Sequence, residues 1–373
     1  MTAVSRSVIV PVFNGRRHLP LFWESLNRCV SGDTELIVVD DGSDEPVRRY
    51  LQRSRCCRVA HLRHERARGF AAAVNAGIEH AVGSDIYILN SDLILEPESL
   101  DELATAIHTD RRVGVAAAKL LYPQTGTIQH AGIGFTQTNH HHLFRHAPKH
   151  HELVSRNRAV QAVAFALCAL RRDVLEAVGK LNDAYINGYE DLEYCFRLRD
   201  VGYNVILHTG SVALHWERQS GSARSVLRKD NVARLWGEWG SRIQADMRTY
   251  FAEALAYILE RHPELRDDKF TVVNLSRGAA GPDIADFLSS AGTISIDDCW
   301  DLNQRGTSDY ALWLPLLLPV DAARHPRPFV YIVDEIPQLD ENHYWLALRR
   351  LAVEAELAID HNANIVALRG EVA

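Results

Sequence analysis

Two kinds of segment are missing from this chain of 373 residues: a long apolar run and a glycine-rich phosphate turn. The longest uncharged apolar stretch, Ala311 to Val320, is broken by Pro315 and Pro319. It falls well short of the roughly 20 apolar residues that a membrane-spanning helix needs. The opening MTAVSRSVIVPVFNG has none of the charged, apolar and small-residue succession of a secretory leader, so the cytoplasm is the expected compartment. Nowhere does GxxxxGK precede Ser or Thr, which excludes a P-loop nucleoside triphosphatase, although PFVYIVDEI ends a strand-like run in Asp334 and Glu335. The GxGxxG turn of a dinucleotide-binding domain is absent as well. Cysteine is sparse: Cys29, Cys56, Cys57, Cys168, Cys195 and Cys299 form no CxxC pair, and they read as buried free thiols in a reducing compartment. No internal repeat and no low-complexity linker interrupts the chain.

What is present is ample core, with 47 % apolar and 24 % charged residues, at a length that suits two domains. The formal charge of −7 is unevenly spread. Residues 1–250 carry 31 basic and 28 acidic side chains, residues 251–373 carry 10 and 20. A mildly basic first part suits an anionic small-molecule ligand, and an acidic second part argues against a nucleic-acid or anionic-membrane module. The change of composition places a boundary near residue 245.

The first part alternates β-branched runs with helical stretches, the pattern of a parallel sheet covered on both faces. Strands are expected over 7–13, 35–42, 57–63, 85–92, 113–122 and 161–170, and at VALH (212–215). Helices are expected over 18–30, 69–82, 97–109, 171–179 and 192–201. The second part reads as α/β too, with helices over 247–264, 282–292 and 345–359 and strands over 270–276, 293–298, 328–336 and 364–370. The helix from Trp345 offers an apolar face suited to a homo-oligomer or to holding acceptor or partner.

In open α/β sheets ligands bind outside the carboxyl ends of the strands. Polar residues of this chain collect there: Pro11 and Asn14-Gly15 after the first strand, Asp40-Asp41-Gly42-Ser43 after the second, Asn90-Ser91-Asp92 after the fourth. Such an acidic crevice accepts a nucleoside diphosphate only with a divalent cation between carboxylate and phosphates, Mg2+ or Mn2+. Asp92 is the leading ligand.

VIVPVFNG, ELIVVDDGSD, RGFAAAVNAGI, YILNSD, IQHAGIGF, LRRDVLEAVGKLND and YINGYEDLEYCFRLRDVGYNV follow one another in order. Together, over residues 5–222, they resemble the inverting family 2 glycosyltransferases, particularly a bacterial branch that includes rhamnosyltransferases. The resemblance implies an α/β chain of two domains. Residues 1–245 would be a GT-A type, doubly wound nucleotide-diphospho-sugar domain, and residues 246–373 a smaller α/β C-terminal domain. It also implies roles. Pro11 and Asn14 would border the nucleotide, and Asp41 or Asp40 would hydrogen-bond the base or ribose. Arg68 would lie near the base or diphosphate and Asn75 near the donor. Asn90-Ser91-Asp92 stands where the family carries its DxD motif, with Asn90 replacing the first acid and Asp92 left as the main metal ligand. His215 would complete the Mn2+ or Mg2+ shell or touch the diphosphate. Asp191 would be the general base and Glu190 would help to place the acceptor, the two being exchangeable. Ser220-Gly221-Ser222, with Arg224, looks like a loop that closes over donor phosphate.

The implied reaction moves a sugar with inversion from a UDP- or dTDP-linked donor to a hydroxyl of a glycan, lipid-linked sugar or small acceptor. No nucleic acid is expected, no transmembrane segment, and membrane contact only through a lipid-linked acceptor. Two departures stand out. Phe165-Ala166 replaces a small Gly-Ala step near the transferred sugar, and NHHHLFRHAPKHH (139–151) packs six histidines into what reads as an acceptor-side loop rather than a metal store. A nucleotidyltransferase is the first alternative, weakened by the poor phosphate loop PVFNGRRH. A non-catalytic sugar-nucleotide or glycan-binding scaffold is the second, weakened because it needs neither Asp92 nor Asp191.

Overall fold

The computed structural model describes residues 4–250 apart from 16–17, 46, 49–55, 57, 136–139, 146, 217–222 and 247–248; beyond 250 it describes Glu253, Tyr257, Glu260 and the strand segments given below. The chain divides into two compact units, one of residues 1–133 with 154–243 and one of 134–153 with 244–373. The histidine-rich stretch therefore groups with the C-terminal residues.

The first unit is built on β1 (Arg6–Val12), β2 (Thr34–Asp40), β3 (Arg58–Arg63), β4 (Asp85–Leu89), β5 (Leu93–Leu95), β6 (Val113–Leu121) and β7 (Ile128–His130). β8 (Ile133–Phe135) and β9 (His140–His142) pair in a small sheet of their own, and β10 (Arg158–Val160), β11 (Leu167–Arg171) and β12 (Asn204–His215) return to the large one. The helices are α1 (Leu19–Cys29), α2 (Phe70–His80), α3 (Ser99–Thr109), α4 (Arg172–Val178), α5 (Glu190–Asp200) and α6 (Ala223–Trp239). The main order is β10-β12-β6-β11-β4-β1-β2-β3, with β5 on β12 and β7 on β6.

β1, β2, β3 and β4 are parallel, as the alternating pattern predicts. The far half is mixed: β11 runs antiparallel to both β4 and β6, and β10 antiparallel to β12. The expected strand over 161–170 begins only at Leu167, and Phe165-Ala166 lies in the turn before it. β2 and β6 are buried along their whole length, which explains the apolar runs LIVV and VGVAAA at their centres. Pro11 is tolerated inside β1 because pairing with β4 stops at Ile9.

α1 places Leu19, Phe22, Trp23, Leu26 and Cys29 on one buried stripe, the i, i+3, i+4, i+7 spacing of a helix on a sheet. α2 packs more closely. A Cβ on Gly77 would run into Ile9 of β1 at a distance no real Cβ shows, so only glycine fits there. Cys29, Cys168 and Cys195 are buried free thiols, and Cys56 is a half-buried one.

In the second unit, besides β9, the described strands are β13 (Lys269–Asn274), β14 (Ser295–Asp301) and β15 (Phe329–Ile332), parallel in the order β14-β13-β15, and the antiparallel pair β16 (Leu357–Ile359) and β17 (Ile365–Ala367). Residues 357–359 are thus strand where the helix from Trp345 was expected to end. The rest of that helix, the helix over 282–292, Asp334-Glu335 and the loop Ser220-Gly221-Ser222 lie outside the described residues. Among the described residues no helix is long and apolar enough to cross a membrane.

Candidate active site

The parallel topology brings the ends of β1, β2 and β4 to one edge of the first unit. At the end of β2, Asp40 is fully buried. One oxygen accepts the Ser43 N–H at 2.8 Å and the other pairs with Arg63, which also donates to the Ser43 carbonyl at 2.6 Å. Asp41 is equally committed. Its Oδ1 takes the Arg68 N–H at 2.9 Å and His64 Nδ1 at 2.7 Å, and its Oδ2 takes the Arg68 and Gly69 N–H groups at 3.1 and 2.8 Å. Both carboxylates, expected to reach base or ribose, are therefore filled by donors of the protein. They fasten the loop of Gly42, whose φ of +77° keeps the backbone tight against Arg66 and Ala67.

Asn14 joins the same loop: its N–H donates to Ser43 Oγ at 3.0 Å and its Oδ1 accepts the Asp44 N–H at 2.9 Å. Pro11 is half-buried at the start of this turn. Asn75 is further away in role, because its side-chain amide is used at both ends by the Leu181 backbone, at 2.8 and 3.0 Å. Arg68 is exposed and its guanidinium makes no hydrogen bond or ion pair among the described residues, a cation facing solvent at the mouth of α2.

The end of β4 is different. Asp92 and His215 meet here from residues far apart in sequence because β5 pairs antiparallel with β12, in the register Leu93 to His215. Asp92 Oδ1 lies 3.3 Å from His215 Nε2, both side chains being mostly buried. Asn90 Nδ2 is also 3.3 Å from that nitrogen. On the other side of the ring, His215 Nδ1 donates to Gln129 Oε1 at 2.7 Å, which turns Nε2 toward Asp92 and Asn90. With Nδ1 engaged, Nε2 and the Asp92 carboxylate are the two groups here that a divalent cation would take as ligands. One carboxylate and one imidazole suit Mn2+ or Mg2+ whose remaining ligands are substrate phosphates and water. Among the described residues no group of three or more His, Cys, Asp and Glu side chains forms a closed cage.

The acid pair sits at the start of α5. Asn187, Gly188 and Tyr189 before it have φ of +54°, +155° and +74°. A run of left-handed residues of this kind costs free energy and needs outside support. Asn231 of α6 supplies it, donating to the Ile186 and Gly188 carbonyls at 3.1 and 2.9 Å, while Asn187 Oδ1 accepts the Phe70 N–H at 3.1 Å. Buried Glu190 closes the loop on itself by accepting the Gly188 N–H at 2.6 Å. Asp191 is half-exposed, and its Oδ2 takes the Phe165 N–H at 3.4 Å.

That contact links the two halves. The turn 164–166 is held by three neighbours: the Ala164 N–H donates to buried His130 Nε2 at 3.2 Å, the Phe165 N–H to Asp191, and the Ala166 carbonyl accepts the Asn90 N–H at 2.8 Å. The Phe165 ring is buried edge-on to Tyr194, so this residue turns its backbone rather than its ring to the acid. Burial pushes the Cys195 thiol well above its usual range, and Cys168 likewise, which makes both inert core residues beside α5. Gln129, His130, His64, Asn187 and Asn231 received no role from sequence. The first two lie inside IQHAGIGF, where the run of polar residues on a buried strand was the available signal.

Residues 7–179 match the family described as glycosyl transferase family 2. An uncharacterised protein of Sinorhizobium fredii is 32 % identical over 225 residues, which cover 57 % of this chain and 24 % of that protein. The O-antigen biosynthesis protein RfbC of Myxococcus xanthus is 29 % identical over 182 residues, covering 46 % of this chain and 14 % of its own length. The chain spans about a quarter or less of these two curated relatives. The crystal structure of GalNAc-T7 with UDP, GalNAc and Mn2+ is similar at a TM-score of 0.50 and 18 % identity, over 71 % of this chain and 54 % of that one. That likeness is one of fold, and the fold is the GT-A type.

Proposed function

We propose that the chain is an inverting, metal-dependent glycosyltransferase that moves a sugar from a UDP- or dTDP-linked donor to a hydroxyl of a glycan, a lipid-linked sugar or a small acceptor. One observation carries the reading: Asp92 Oδ1 and His215 Nε2 converge to 3.3 Å, and the turn 164–166 ties their strand end to Asp191. Asp92 and His215 would hold Mn2+ or Mg2+, which when bound offsets the charge of the leaving diphosphate.

The chain's own groups do the rest. Pro11 and Asn14 border the nucleoside, on a loop that Asp40 and Asp41 keep in shape. Arg68, exposed and unneutralised, meets the base or diphosphate. Asp191 takes the proton of the attacking hydroxyl, a step that a placed carboxylate accelerates by about 10²–10⁴-fold. The half-exposed Asp191 suits that role better than Glu190, whose buried carboxylate already closes the strained loop. A boundary near residue 245 and an acceptor or partner role for the second unit complete the proposal. A lipid-linked acceptor is the one route by which the enzyme would meet a membrane.

The test is release of nucleoside diphosphate from a panel of UDP-, dTDP- and GDP-sugars with and without Mn2+, repeated with Asp191→Asn. Metal-stimulated release from one donor is expected. The variant should lose at least about 100-fold in kcat while donor affinity changes little. An Asp191→Asn enzyme of undiminished kcat places the base elsewhere, and no release from any donor removes the transferase reading.

A further inference from the structure

Gln129 stands behind the histidine rather than beside the donor. It is 4 % exposed, on β7, a short strand that pairs antiparallel with β6. Its side-chain amide touches one residue twice: Nε2 donates to the His215 carbonyl at 3.0 Å and Oε1 accepts from His215 Nδ1 at 2.7 Å. The first contact decides the second. A carbonyl oxygen only accepts, so the amide must present its NH2 there and its oxygen to the ring. An amide oxygen also only accepts, so Nδ1 must carry the ring proton. Nδ1 is thereby engaged, and Nε2 is the nitrogen that faces Asp92 and Asn90.

We propose that Gln129 is the positioning residue of the cation site, clamping His215 by ring and backbone so that Nε2 is held toward Asp92. The inference rests on the reading of Asp92 and His215 as cation ligands. Partners that orient a ligating histidine typically account for 10–100-fold in metal affinity. Gln129→Leu loses both contacts. Gln129→Glu keeps an acceptor for Nδ1–H at the same size, while it sets a carboxylate oxygen against the carbonyl in place of the donor.

The experiment is Mn2+ titration of the full chain with saturating UDP, read by the paramagnetic resonance of free Mn2+, with thermal melts of every variant. Asp92→Ala and His215→Ala should lose tight Mn2+. Gln129→Leu should bind about 10–100-fold more weakly, and Gln129→Glu should recover most of that loss. Wild-type affinity in Gln129→Leu, with the two ligand variants impaired, overturns the role of Gln129 and leaves the cation site standing. Unchanged Mn2+ binding in Asp92→Ala and His215→Ala overturns the cation site and Gln129 with it. If Gln129→Leu melts early, Gln129→Glu decides alone: Mn2+ affinity closer to wild type than that of His215→Ala supports the clamp, and affinity as low as that variant's overturns it.

Discussion

Two acidic clusters close strands of the same sheet that flank β1, and the sequence writes them alike: Asp40-Asp41 after β2 and Asn90-Ser91-Asp92 after β4. The first is saturated. Asp40 and Asp41 are buried and accept from Arg63, His64 and the N–H groups of Ser43, Arg68 and Gly69. The second faces the Nε2 of His215, which also has the Asn90 amide at 3.3 Å. A carboxylate surrounded by donors stabilises a loop, whereas a carboxylate and an imidazole side by side offer a cation two ligands. Equal residues at equivalent strand ends thus serve different ends, and their hydrogen-bond partners tell them apart.

Stability separates the clusters first. Asp41→Ala strands two backbone N–H groups ahead of α2 as well as His64, and should cost about 3 kcal/mol in urea unfolding. A loss below about 1 kcal/mol would show that the cluster is not the fastening it looks like. His64→Ala removes one of those partners and should cost about 1 kcal/mol by the same assay. Smallest of all, Asp92→Ala should change stability by no more than about 0.5 kcal/mol, since no protein donor is lost. A large destabilisation there would make the two clusters equivalent after all.

Much of the first unit is legible in the sequence because burial writes itself as pattern. The apolar-rich runs at β1, β2, β4 and β6 and the helical spacing of α1 and α3 come through within a few residues. What escapes is long-range. The reversed direction of β11 depends on which strands it meets, and no local propensity encodes that. β7 and β10 have three residues each, too few to show a period. The histidine-rich stretch forms strand β9 where a loop was expected, because its pairing with β8 prevails over a weak β-propensity.

The site divides in the same way. Asp92, His215, Glu190 and Asp191 were visible as motif residues, and the structure brings Asn90, Asp92 and His215 together. The duties of Asp40, Asp41 and Asn75 were not visible, because their partners are backbone groups up to 106 positions away. Nor could sequence show that Phe165 buries its ring. That matters for the sugar: the residue where a small Gly-Ala step was expected presents an N–H, and its side chain packs into the core.

The account turns on the cation that Asp92 and His215 are proposed to share, and calorimetric titration of UDP with and without Mn2+ tests it most directly. Mn2+ should tighten UDP binding by at least about tenfold in the wild type and in the loop variant His64→Ala, and should do nothing in Asp92→Ala. Equal tightening in Asp92→Ala would contradict the account.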